Sequence, residues 1–244
     1  MIIAIANQKG GVGKTTTAVT IAAAMALQGK PTLLIDLDSQ GNCADSLGIE
    51  SGNDLGDFIL KVYSQYPRVE AREHLTLIRS DKNTTALKMT LTGMEFRERL
   101  LADRLASAAD EYHSVILDCA PSVDILHTAA LFAADYLLIP TKLDQFSVKG
   151  VGELLRSLHS AQRYGSPCQM LAILPTFFDH VTLESAAQLR NVVGAFGSLV
   201  WPVIPVDTSV RIAHRAGKTI WEHCPNGRAS QAYIQVMDHL REVL

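Results

Sequence analysis

Residues 2–19 read IIAIANQKGGVGKTTTAV: a short apolar run, a glycine-rich turn, then residues that suit a helix. A buried strand that enters glycines and then a helix aims backbone N–H groups and a helix N-terminus at one spot, for which phosphate is the natural guest. The strict loop pattern G-x-x-x-x-G-K-[ST] asks for glycine at position 8, where this chain has Gln8. What remains is Lys9, Gly10, Gly11, Val12, Gly13, Lys14, Thr15 and Thr16. The glycines let phosphate oxygens approach the backbone, Lys14 can reach the β- and γ-phosphates, and the Thr15 hydroxyl can ligate Mg²⁺. Lys9 is one lysine more than such a loop needs.

Beyond the loop the apolar runs are short, rich in Ile, Val and Leu, and without polar alternation, as in strands buried on both faces. Strands are predicted near 2–6, 32–37, 75–79, 114–118, 136–140, 170–174 and 200–204, with helices over 14–28, 94–109, 148–164, 182–195 and 229–243. This alternation predicts an α/β fold, a doubly wound, mostly parallel sheet with helices on both faces. At 244 residues, and with no Pro/Gly/Ser-rich linker, a single domain over 1–244 is expected.

Composition narrows the function classes. A net charge of −3 does not coat nucleic acid by bulk attraction, so any DNA affinity must come from a local patch. Cys43, Cys119, Cys168 and Cys224 are widely spaced, form no C-x-x-C pair, and read as packing residues of a reducing, cytoplasmic location. The apolar run at 1–6 is too short for a secretory leader, and the longest apolar stretch, TAALFAADYLLIPTKL (128–143), is broken by Asp135, so no membrane span is predicted.

With Lys9 ahead of the glycines, KGGVGKTT resembles the deviant phosphate loop of the ParA partition ATPases. The resemblance implies ATP and Mg²⁺ as cofactors. It also implies that two subunits close face to face, each first lysine crossing to the γ-phosphate held by the other. Such a cation acts where charge accumulates in phosphoryl transfer, as an arginine finger does. LLIDLDSQGN (33–42) resembles the family's aspartate segment, although Ser39 stands where the family usually has proline. The likeness gives Asp38 the role of positioning or deprotonating the attacking water near the metal, and Asp36 that of a hydrogen-bonding support or a contact to the metal's water shell. SVILDCAPS (114–122) resembles the strand whose final aspartate, Asp118, holds Mg²⁺ through water opposite Thr15; Ala120 replaces a usual proline. Residues 203–233 resemble the family's carboxyl-terminal block, which makes Pro205 the candidate adenine contact, with Pro175 or Thr176 as alternatives.

Residues 1–150 hold 14 Lys/Arg against 18 Asp/Glu, net −4, and 151–244 hold 8 against 7, net +1. The basic excess lies at 208–228, where Arg211, Arg215, Lys218 and Arg228 face only Glu222. On a helix Arg211 and Arg215 share one face. A solvated helix explains this pattern on charge alone, while the resemblance makes Arg211, Arg215 and Lys218, and less so Arg190 and Arg228, contacts to nonspecific DNA. The expectation is an ATP-dependent homodimer that binds DNA and moves a plasmid, a chromosome origin or another cargo with a ParB-like adaptor, nucleoid-associated in the cytoplasm. Two relatives of that reading stay open: positioning of a protein organelle, and a MinD-like membrane ATPase. The second needs a basic amphipathic tail, whereas IQVMDHLREVL (234–244) holds two acids and one arginine and reads as a docked helix, so no membrane partner is expected.

Overall fold

A computed structural model describes residues 1–61, 66–108 and 110–243. Strand β1 (Ile2–Ile5) passes through the glycine loop into α1 (Lys14–Leu27), and β2 (Thr32–Asp36) into the short α2 (Asn42–Ser46). Helix α3 (Asp54–Leu60), the hairpin β3 (Val69–Arg72) and β4 (Leu75–Ile78), α4 (Thr84–Thr92) and α5 (Leu100–Ala108) follow. Next come β5 (Ser114–Asp118), α6 (Ile125–Ala133), β6 (Tyr136–Lys142), α7 (Ser147–Arg163), β7 (Gln169–Thr176) and α8 (Leu183–Phe196). The chain closes with α9 (Thr208–Arg215), α10 (Ile220–His223) and α11 (Arg228–Val243).

The strands form one sheet in the order β3-β4-β2-β5-β1-β6-β7, parallel except for the antiparallel β3–β4 edge pair. This is the expected doubly wound architecture. Successive β1 residues serve opposite layers: Ile3 and Ile5 pack with α1, α2 and α11, whereas Ala4 and Ala6 pack with α3 to α8. Each such fully buried Ile or Leu contributes about 1.5–3 kcal/mol. The alanine run Ala22–Ala23–Ala24 lets α1 lie close on the sheet, so that its N-terminus sits above the carboxyl end of β1. That sheet edge is where ligands of open α/β sheets collect.

Two expectations need correction. No strand forms at 200–204. The Trp201 and Ile204 N–H groups reach β7 carbonyls (2.9 and 2.8 Å), but only isolated bridges result. Pro202 and Pro205 have no N–H to continue a ladder. The helix expected over 94–109 starts at Leu100, because turns fill 93–99 and Phe96 adopts a left-handed conformation (φ 52°) that ends helical continuity. The hairpin strand β3 was not anticipated, being short and half exposed. No helix of the described residues is long and apolar enough to cross a membrane.

One packing contact ties the turn after α2 to the basic segment. Gly48 (φ 69°) and Gly217 (φ 63°) meet backbone to backbone, and Arg72 clamps both sides by donating to Leu47 O (3.3 Å) and Gly217 O (2.8 Å) while pairing with Glu222. A Cβ on Gly217 would lie 2.6 Å from Gly48 Cα. Gly217→Ala is therefore expected to destabilise the fold by about 2 kcal/mol or more, read from urea unfolding, since the left-handed backbone and the clash add. Unchanged stability would show that this contact yields easily.

Candidate nucleotide site

The glycine loop is shaped from below by Asn7. Its buried amide donates to Pro140 O (2.8 Å), and its Oδ1 accepts the Lys9 N–H (3.0 Å). Gly13, with φ 88°, turns the chain into α1 without any side-chain cap, and no acidic residue lies in the first helical turn. The open N–H groups and the positive end of the helix dipole thus remain available to an anion. Val12 turns its side chain inward, and its carbonyl accepts the Thr176 hydroxyl (2.9 Å), so the loop is bolted to the end of β7. The exposed Gly10 and Gly11 leave the loop's outer side open.

Lys14 is 7 % exposed, and its ammonium donates to Lys9 O (3.1 Å). Burial pulls it below the ordinary lysine range, opposed by the charges of Asp118 and Asp38. Thr15 and Thr16 are half-buried beside it. Lys9 behaves differently. Its side chain is 42 % exposed, leaves its own loop, pairs with Asp144 after β6, and lies over the Phe146 ring. Although burial pushes its carboxyl up, Asp144 is held below the usual carboxylate range by Lys9, the Phe146 N–H and Lys142.

Three aspartates stand at the ends of β2 and β5, the middle strands of the sheet. Asp36 is fully buried, accepting the N–H groups of Asp38 (2.9 Å) and Cys43 (3.0 Å), so it shapes the loop that follows. Burial first, and then the neighbouring Asp118 charge, drives its carboxyl well above the usual range. Asp118 is also raised by burial, opposed by the Thr15 hydroxyl, the Cys43 thiol and the Lys14 charge. Asp118 Oδ2 accepts from the Cys43 thiol (3.3 Å), and Oδ1 has no hydrogen-bond partner among the described residues. Asp38 is half-buried, with its backbone pinned by Asp36 and by the Ser80 hydroxyl (2.7 Å) and its Oδ1 accepting the Gln40 N–H.

Beside the loop lies a cavity of about 310 Å³, lined by Gly13, Thr16, Thr176, Phe177, Pro205 and Tyr233, with Arg211 and His214 also on its wall. Its apolar walls suit a flat ring next to the phosphate-facing loop. Pro205 and Thr176 line it, and Pro175 passes its carbonyl to Ile204 (2.8 Å). Arg211 and Arg215, both exposed, share α9; Lys218 is exposed in the turn after it. Arg190, on α8, and Arg228, which donates to Val206 O (3.2 Å), are exposed elsewhere. The loop, Asp38 and Asp118 thus converge, whereas the basic residues lie along the flank, where Arg215 lines a second cleft with Thr15, Thr16 and Asn42. Asp144 and Phe177 escaped the sequence reading, which took Cys43 only as a packing residue. For Asp144 the available signal was its position just after an apolar strand.

Residues 1–170 match the AAA domain family. Over 98 % of this chain and 94 % of the relative, the sequence is 34 % identical to the chromosome-partitioning ATPase Soj of Thermus thermophilus. It is 33 % identical to the chromosome partitioning protein ParA of Myxococcus xanthus, over 96 % of this chain and 85 % of that protein. The chain belongs to the ParA family. A solved structure named as cobyrinic acid a,c-diamide synthase from Mycobacterium smegmatis, with bound ATP analog and magnesium, superposes with a TM-score of 0.77 at 32 % identity, covering 93 % of this chain and 97 % of that one. The span matched to the AAA domain contains the ParA-type loop, all three aspartates and Asp144, while Pro205, Arg211, Arg215 and Lys218 lie beyond it.

Proposed function

We propose that this ParA-family chain is an ATPase that dimerises on ATP, binds nonspecific DNA as the dimer, and is released when a ParB-like adaptor stimulates hydrolysis, so moving a plasmid, a chromosome origin or another cargo on the nucleoid. The observation that carries the reading is the division of labour between the two lysines. Lys14 is buried against its own loop, while Lys9 leans outward from the same mouth towards Asp144 and Phe146, where a second copy can meet it.

The loop N–H groups and Lys14 would bind the triphosphate, and the apolar cavity at Pro205 would take the adenine. The donor set also fits Mg²⁺: a buried carboxylate oxygen without a hydrogen-bond partner among the described residues, Asp118 Oδ1, stands with the Thr15 hydroxyl and Asp38 at one sheet edge. Bound there, the ion would neutralise charge on the phosphoryl oxygens. Asp38, pinned through its backbone, orients water and takes its proton on the carboxylate. Lys9 of one copy completes the charge around the phosphate held by the other, which makes dimerisation and hydrolysis conditional on the same contact. Arg211, Arg215 and Lys218 supply a cationic flank that a dimer doubles, and phosphate contacts of this kind weaken steeply with salt.

Size-exclusion chromatography tests this reading with wild type and Lys9→Ala, each with ADP or ATP, with and without duplex DNA at two salt concentrations. Wild type is expected to dimerise with ATP alone and to carry DNA only as the dimer at low salt. Lys9→Ala is expected to bind ATP yet elute as a monomer. A Lys9→Ala protein that dimerises like wild type contradicts the trans role of Lys9, and an ATP-loaded wild type that remains monomeric contradicts the whole cycle.

A further inference from the structure

Asp36, Cys43 and Asp118 are each at most 1 % exposed, and their ligand atoms lie within 4.8 Å of one another. The thiol in this set differs in kind from the oxygen donors that Mg²⁺ prefers, and it favours a softer cation. The Cys43 Sγ to Asp118 Oδ2 separation is 3.3 Å. A tetrahedral zinc ion about 2.3 Å from sulfur and about 2.1 Å from oxygen sets an S···O edge of about 3.6 Å, so this edge needs little movement, while the other edges close from at most 4.8 Å. Asp36 spends one lone pair of each oxygen on backbone N–H groups and keeps the others. Asp118 Oδ1, the oxygen assigned above to Mg²⁺ in the nucleotide complex, is buried and without a hydrogen-bond partner among the described residues of the nucleotide-free chain.

We infer that Asp36, Cys43 and Asp118 form a binding site for a thiophilic divalent cation of the zinc and cadmium class, overlapping the place of Mg²⁺ but selected by the sulfur. On binding, the Cys43 thiol passes its proton to water as the metal–sulfur bond forms. The two carboxylates, already deprotonated or releasing theirs likewise, supply the oxygen ligands, with water in any remaining position. A cleft of about 590 Å³ lined by Thr15, Asn42 and Ser46 opens at the residue preceding Cys43, with the three ligands behind its wall. The inference does not depend on the ATPase reading, because it concerns the nucleotide-free chain.

Cd²⁺ alone is the probe, titrated into reduced, nucleotide-free protein and followed by the ultraviolet thiolate-to-cadmium absorption. One equivalent is expected to bind, with Cys43→Ala weakening it by about a hundredfold or more. Cys224→Ser, which alters a half-buried thiol elsewhere, is expected to leave the band unchanged. Excess Mg²⁺ without nucleotide is expected not to displace the cadmium. A band that persists in Cys43→Ala, or disappears in Cys224→Ser, overturns the assignment. So does the absence of any band in wild type. Should Cys43→Ala fail to fold, ¹¹³Cd resonance of the wild type decides: one sulfur ligand supports the site, and two or more overturn it.

Discussion

Lys14→Ala is expected to abolish nucleotide binding, with affinity for a fluorescent ATP analogue falling by about a hundredfold or more while the protein stays folded. The ammonium is buried, which costs solvation and draws its pKa down, yet its one hydrogen bond among the described residues is to the carbonyl of Lys9. A charge held that way, with a single neutral acceptor, is prepared for an anion. Breaking a buried charge-assisted contact of this kind costs about 2–5 kcal/mol, which corresponds to roughly 30- to 5,000-fold in affinity. Because the Asp38 and Asp118 charges stabilise the ammonium, Lys14→Ala also removes their counter-charge, so any residual nucleotide binding should become more dependent on Mg²⁺. Affinity within about threefold of wild type would remove Lys14 from the site and with it the loop's role.

Asp38→Ala is expected to separate binding from turnover. Nucleotide affinity stays within a few-fold, because Asp38 contributes neither to the loop N–H cradle nor to the apolar cavity. Hydrolysis falls by about 10²- to 10⁴-fold, the range for losing a positioned general base. The ATP dimer then persists on DNA, which gel filtration and a phosphate-release assay read together. The backbone around residue 38 keeps its Asp36 and Ser80 anchors after the side chain is trimmed, so the loop is expected to hold its path. Hydrolysis equal to wild type would show that another group takes the proton. Loss of nucleotide binding would instead place Asp38 among the residues that hold the substrate.

Much of this was legible from residue order. The glycines, Lys14 and Thr15 lie within one turn of chain, so their joint action needs only local geometry, and Asp36 and Asp118 each end an unbroken apolar strand. Two kinds of feature were hidden. Extended segments can be read as strands even when their N–H groups are missing, and Pro202 with Pro205 turned the expected strand at 200–204 into a pair of bridges. Contacts between loops from distant strands leave no local trace: Lys9 and Asp144 are 135 residues apart in sequence and meet because β1 and β6 are neighbours in the sheet. Arg211 shows the same limit from the other direction. Its spacing to Arg215 suggested a shared helical face, and both lie on α9, but only the packing of α9 against α2 and α10 places Arg211 on the wall of the cavity next to the glycine loop.

The order of residues by itself determined the layered α/β fold and the phosphate-facing loop. Buried parallel strands demand unalternated apolar runs, and a backbone anion cradle demands glycines before a lysine and a threonine. Only the tertiary structure decided that Cys43 lies against the Asp118 carboxylate, that Lys9 pairs with Asp144, and which walls enclose the base-sized cavity. Those contacts join the ends of strands that are far apart along the chain. Their existence follows from strand order and from how closely the alanine-rich α1 packs on the sheet, quantities that no local pattern of residues encodes.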